Sequence, residues 1–139
     1  MHECPFTLIT CMDYRLREAL PVFMARRYDN PDYDLISVAG SGKEIADNNP
    51  EISKFLLKQI EISRNLHHSN VIVLVHHSDC ETYKNAYSFK NDDDEFKKQL
   101  EDIHKTEKII KKNFPEMHIE RIWAKIMPDT EDIVFFHLI

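Results

Sequence analysis

Val71-Ile72-Val73-Leu74-Val75-His76-His77-Ser78-Asp79-Cys80 is the stretch whose reading decides the fold. Residues 71–75 form an unbroken apolar, β-branched run with no polar residue alternating through it. A strand with one wet face alternates apolar and polar side chains. A strand covered on both faces does not, and that is the pattern of a parallel sheet sandwiched between helices. The run then passes directly into imidazoles, a hydroxyl, a carboxylate and a thiol.

Working outward, residues 5–10 make a second apolar run that reads as a buried strand, and residues 33–38 make a third, ending at Ala39-Gly40-Ser41-Gly42. Between these two, Leu16, Leu20, Phe23 and Met24 fall at helical spacing over residues 13–28. Pro21 interrupts the pattern, which predicts a kink or two short helices meeting there. Asn49 and Pro50 suit the N-cap and first position of a helix running to about Leu66, with Ile52, Phe55, Leu56 and Ile60 on its buried side. His67-His68 marks the end of that helix.

Asp92-Asp93-Asp94-Glu95 opens a long amphipathic helix carrying Phe96, Leu100, Ile103, Ile110 and Phe114. The acids read as a solvated cap and Lys111-Lys112 as the matching cationic end. Residues 119–126 and 133–139 flank a turn and read as a closing hairpin. The alternation predicts an α/β fold over residues 1–139 as one domain: a mostly parallel sheet of about four strands flanked by helices, with a C-terminal antiparallel hairpin strand.

Composition narrows the classes. At 42% hydrophobic and 30% charged residues the chain reads as a soluble globular domain. A net charge of −6 offers no basic stripe to replace phosphate counterions, which argues against nucleic acid as a partner. No apolar run is long enough for a membrane span, and no signal peptide precedes the first strand. Three cysteines, an odd number, argue against a disulfide framework and for the cytoplasm.

With disulfides set aside, the cysteines become candidates for metal binding. Cys11-Met12-Asp13-Tyr14-Arg15 stands at the carboxyl end of the first strand, where alternate side chains share one face. Cys11 there, with His77 and Cys80 after the 71–75 strand, would supply two thiolates and one imidazole. That set suits Zn²⁺ and leaves a fourth position for water or substrate. Asp13 is close enough to bind the metal or to accept a hydrogen bond from what the metal carries, and Arg15 can clamp it by a bidentate pair. Cys4 has no partner motif, reads as a small buried hydrophobe, and stays outside the site. His76 should face away from His77 and pack in the core or at the surface. Gly40-Ser41-Gly42-Lys43 lacks the spacing of a phosphate loop and reads as a tight turn beside the metal.

Cys-x-Asp-x-Arg after the first strand, paired with His-x-x-Cys after a Val-rich one, resembles the β-class carbonic anhydrases. Val38-Ala39-Gly40 falls where that family has an Ala-Gly turn, and the remaining elements follow in family order across almost the whole chain. The resemblance implies zinc as cofactor, held by Cys11, His77 and Cys80, with Asp13 and Arg15 as the catalytic pair. Val38, Ala39 and Gly40 would border the substrate pocket. It implies a zinc hydro-lyase: reversible hydration of carbon dioxide to bicarbonate by zinc-bound hydroxide, in a homodimer or larger homo-oligomer. The chain departs from the family pattern at Ser37-Val38, at His76 before the ligand histidine, and at Glu81 after Cys80, and lacks a helical N-terminal arm.

Two other readings start from the same residues. One is a zinc domain of this kind without hydratase activity, closed by Asp13 as fourth ligand, or one acting on a sulfur analogue of CO2. The other takes Cys11 and Arg17 as the Cys-x5-Arg loop of a phosphatase or sulfurtransferase. Such a loop cradles an anion with backbone N–H groups, and Asp13 would place a carboxylate inside it.

Overall fold

The computed structural model describes residues 2–139. In chain order it contains β1 (Phe6–Thr10), α1 (Ala19–Arg27), β2 (Tyr33–Ser37), α2 (Lys43–Ala46), α3 (Pro50–His67), β3 (Val71–His77), α4 (Glu81–Ala86), α5 (Asp92–Asn113), β4 (His118–Ile126) and β5 (Ile133–Leu138). The strands form one sheet in the order β2-β1-β3-β4-β5. The first four run parallel and β5 is antiparallel to β4. This is the α/β architecture expected from the sequence. Among the described residues no helix is long and apolar enough to cross a membrane.

The unbroken run in β3 has the expected cause. Val73 and Val75 enter a core with Leu8, Leu20, Met24 and Tyr83, on the face that α1 and α4 cover. Ile72 and Leu74 enter a second core with Leu56, Ile60, Ile103 and Ile110, on the face of α3 and α5. All four β3 side chains are fully buried, each contributing roughly 1.5–3 kcal/mol. β3 runs two residues further than its apolar stretch, so His76 and His77 lie inside the strand and continue the alternation: His77 shares the face of Val73 and Val75, His76 that of Ile72 and Leu74.

The chain leaves β1 to form β2 on one side and returns to form β3 on the other. Strand order therefore reverses at the carboxyl ends of β1 and β3, the place in open α/β sheets where ligands bind. Cys11 and His77 both stand at that point.

Three local expectations need correction. The break in residues 13–28 falls before Pro21, between a 3-10 turn at Tyr14–Leu16 and the start of α1 at Ala19. The Asp13 carboxylate accepts the Arg15 N–H and so holds the turn. Pro21 is the third residue of α1, where its missing N–H would have no intrahelical acceptor. On α3, Ile52 and Phe55 point outward, and the buried side is Ser53, Leu56, Ile60 and Ser63. The Ser63 hydroxyl meets the sheet, its Oγ 2.7 Å from Thr7 Oγ1. Asn49 occupies the N-cap position of α3 but makes no side-chain capping bond. Finally, Glu95 is 2% exposed and not part of a solvated cap; Asn91 caps α5 instead, accepting the Asp94 N–H.

Candidate metal centre

Cys11 is the residue after β1, His77 the last of β3, and Cys80 the N-cap of α4. Two devices aim the loop between them. Ser78 N–H donates to Ala124 O, and Ser78 Oγ accepts from Ile126 N–H, which ties the loop to β4. Asp79 takes a left-handed backbone with φ of +55° and turns Cys80 back toward His77. The two sulfurs and the imidazole then lie within 4.8 Å of one another, and all three residues are buried.

His77 Nδ1 donates to the Ser78 carbonyl at 2.7 Å, so the other ring nitrogen carries the lone pair. That nitrogen, Nε2, is buried without a hydrogen-bond partner. Leaving it so costs about 1–3 kcal/mol, which a metal ion would remove. Two sulfurs and an imidazole form a donor set that suits zinc, which takes its fourth ligand from outside these three. The residues fit the ion.

The electrostatics agree. Cys11 is held well below the usual thiol range by the facing Cys80 sulfur, against its burial, with help from His77 and the Gly40 N–H 3.4 Å away. Cys80 is pushed up by that same ionised sulfur and by burial. Burial lowers His77, but its interaction with Cys11 more than offsets this and the net direction is up. Gly40 can reach Cys11 because its φ is +79°, in the region that disfavours side chains, and an added Cβ would sit 3.0 Å from Lys43 Cβ.

Arg15 grips Asp13 with both ends of its fork. Its Nε lies 3.1 and 3.2 Å from the two carboxylate oxygens and its Nη2 lies 2.8 Å from Oδ2. The remaining donors go to Asp79, with Nη1 3.0 Å from Oδ2 and Nη2 2.9 Å from the backbone carbonyl. Asp79 is also paired with Lys84. This guanidinium holds the Asp13 carboxyl below its ordinary range. Asp13 Oδ2 stands 3.7 Å from His77 Nε2, yet Asp13 is not among the three donors that converge. Arg17 lies in solvent, 77% exposed, against Glu18, which removes the anion cradle that a Cys-x5-Arg loop needs.

A cavity of about 230 Å³ opens on Cys11 and Asp13, walled by Leu8, Leu16, Leu20 and Tyr33. Two larger clefts, of about 600 and 790 Å³, touch the site only at Arg15 and at Ser78-Asp79. Val38 packs against the α3-side core, Ala39 is half-buried, and Gly40 meets the site through its N–H.

Comparison with known proteins shows the family and the fold. A protein-family model described as "Putative carbonic anhydrase" matches residues 1–133. The chain belongs to that family. Two solved structures show the same fold. A β-carbonic anhydrase isoform I from Trichomonas vaginalis aligns with a TM-score of 0.58 at 18% identity, covering 97% of this chain and 85% of its own. A carbonic anhydrase from Streptococcus mutans aligns with a TM-score of 0.58 at 18% identity, covering 97% and 86%. An uncharacterized protein of Rickettsia bellii is 26% identical over 123 residues, 86% of this chain and 75% of the relative.

Around its candidate ligands, this carbonic anhydrase family member carries a buried polar layer that the sequence reading missed. Glu95 Oε1 accepts the Asp79 N–H at 3.1 Å and Oε2 the Cys80 N–H at 2.9 Å. Gln99 Nε2 donates to Glu95 Oε2 and to His77 O. His76 Nε2 accepts the Gly42 N–H at 3.1 Å, so its Nδ1 donates to Gln99 Oε1. Burial pushes His76 down to about 4, which keeps it neutral. Gly42 is required here, because a Cβ would meet Thr106 Oγ1 at 2.8 Å and His76 Nε2 at 3.1 Å. A signal existed: Glu95, Gln99, Asp102 and Thr106 lie at helical spacing in phase with Ile103 and Ile110. Glu95→Ala would leave the buried Cys80 amide and the part-buried Asp79 amide without their acceptor and is expected to destabilise the protein by about 2–4 kcal/mol. Urea unfolding checks this; a change under about 0.5 kcal/mol would mean that Glu95 does not hold the loop.

Proposed function

We propose that this chain hydrates carbon dioxide reversibly to bicarbonate, with zinc held by Cys11, His77 and Cys80. The observation that carries the reading is the unpartnered His77 Nε2 between two converging cysteines, beside a carboxylate that an arginine holds out of the group. When bound, zinc supplies a Lewis acid that brings the pKa of a water molecule toward neutrality.

The chain's own groups do the rest. Asp13, kept ionised by Arg15, has only acceptor capacity. It accepts a hydrogen bond from the attacking water or hydroxide, which turns a lone pair toward the CO2 carbon. Arg15 spends its donors on Asp13 and Asp79 and so prevents Asp13 from rotating onto the metal. Carbon dioxide lies in the cavity that opens on Cys11 and Asp13, against Leu8, Leu16 and Leu20 and not against Val38 or Ala39, with Gly40 beside Cys11. Attack forms the new C–O bond, bicarbonate departs, and the proton leaves to solvent or buffer.

The 3.7 Å approach of Asp13 to His77 Nε2 supports a second reading: a zinc domain closed by Asp13 as fourth ligand and without hydratase activity. Stopped-flow CO2 hydration by zinc-loaded protein at alkaline pH separates the two. Zinc-dependent hydration is expected. A zinc-replete protein that leaves the CO2 reaction at its buffer rate would overturn the hydratase reading. We also place the protein in the cytoplasm and read it as a homodimer or larger assembly, the assembly being supported by the exposed Phe55, Ile62 and Leu66 on α3.

A further inference from the structure

The opposite end of the sheet holds a second group of metal-ligating side chains, one that the proposed reaction does not use. Cys4 lies just before β1, Asp34 is the second residue of β2, and His67 is the last of α3. Their sulfur, carboxylate and imidazole donors lie within 4.8 Å of one another, and all three residues are half-buried. An ion could reach them without unfolding anything.

The fold organises this group in advance. Cys4 N–H donates to His67 O at 3.0 Å, which fastens the first ligand's backbone to the last turn of α3. α3 stops there because His68 takes a left-handed conformation with φ of +60°. Asp34 pairs in register with Thr7 across β1 and β2. Its Oδ2 accepts from Ser63 Oγ at 2.7 Å, and Ser63 meets Thr7 Oγ1, itself 2.8 Å from Ser69 Oγ. This buried chain of hydroxyls fixes the carboxylate from the protein side, the kind of outer support that orients a metal ligand. His67 Nδ1 sits 2.8 Å from both Asp34 oxygens. The His2 ring stands edge-on to the His67 ring, with centroids 6.4 Å apart, so a further imidazole lies at the rim.

We propose that Cys4, Asp34 and His67 bind a second divalent transition-metal ion, zinc being the one the donors suit. One sulfur, one nitrogen and one carboxylate oxygen match zinc's N, S and O preferences and leave a position for water or His2. A thiol and an imidazole do not suit magnesium or calcium, which take oxygen ligands. On binding, the Cys4 thiol gives up its proton and His67 offers a ring-nitrogen lone pair, so one proton is released, from the thiol. The ion would join the start of β1, β2 and the end of α3. Because it binds the folded state, it stabilises that state by mass action. The proposal is independent of the Cys11 site and of any activity there.

The test counts zinc on full-length protein, stripped and then titrated against a chromophoric chelator. Wild type is expected to bind one equivalent more than Cys4→Ser and one more than His67→Ala, both changes at half-buried positions that the core does not need. Equal counts in wild type and His67→Ala would overturn the proposal. Cobalt supplies a second readout. In Cys11→Ser/Cys80→Ser protein, a thiolate-to-cobalt absorption band is expected from Cys4 and should vanish on adding Cys4→Ser. Its absence in the folded double variant would overturn the proposal while leaving the Cys11 site untouched.

Discussion

Cys11→Ser is expected to lose the zinc equivalent of the β1–β3 site and, with it, zinc-dependent CO2 hydration. The substitution replaces a readily ionised thiol, held that way by Cys80, His77 and the Gly40 N–H, with a hydroxyl that stays protonated. Zinc affinity should fall by more than about 100-fold, beyond what the loss of a supporting partner alone costs. The fold should survive, because Cys11 and Ser differ little in size and the main core residues of β1, Leu8 and Ile9, are unchanged. Equilibrium dialysis with metal analysis reads the effect. Full zinc occupancy of that site in the variant would remove Cys11 from the ligand set.

Asp13→Asn makes the complementary change, and its expected signature is opposite in metal content. Zinc should be retained, because Asp13 is not among the converging donors. Hydration should fall by about 100- to 1000-fold, the range seen when one positioned hydrogen-bonding group is removed from a reacting centre. The asparagine keeps an oxygen for the Arg15 fork but offers a donor where an acceptor is needed. Stopped-flow rates and zinc content measured together are decisive. An unchanged rate would end the role given to Asp13. Loss of zinc would instead make Asp13 a ligand and favour the closed site.

The sheet was legible because its evidence is local. The short, mostly β-branched apolar run at residues 71–75 reads as a strand covered on both faces, and Ile72, Val73, Leu74 and Val75 are indeed wholly buried. The helix faces were harder. On α3, Ile52 and Phe55 are apolar yet exposed, while Ser53 and Ser63 are polar yet buried beside Leu56 and Ile60, Ser63 because its hydroxyl finds partners in Thr7 and Asp34. Glu95 misled for a related reason. It ends an acidic run, and only the folded loop at Asp79-Cys80 provides the two amides that make its burial favourable.

The candidate site divides in the same way. The convergence of Cys11, His77 and Cys80 could be read from two strand ends, since parallel neighbours bring their carboxyl termini together. The sharing of Arg15 between Asp13 and Asp79 could not, because it depends on the left-handed turn at Asp79. Nor could the Cys4 group, whose members come from three elements and carry no spacing motif.

The most direct test of the metal centre is zinc K-edge X-ray absorption on His67→Ala protein loaded with one zinc equivalent. Two sulfur scatterers at about 2.3 Å and nitrogen or oxygen at about 2.0–2.2 Å are the expected shell. A shell of nitrogen and oxygen alone would contradict the assignment of Cys11 and Cys80 as ligands, and with it the account of this site.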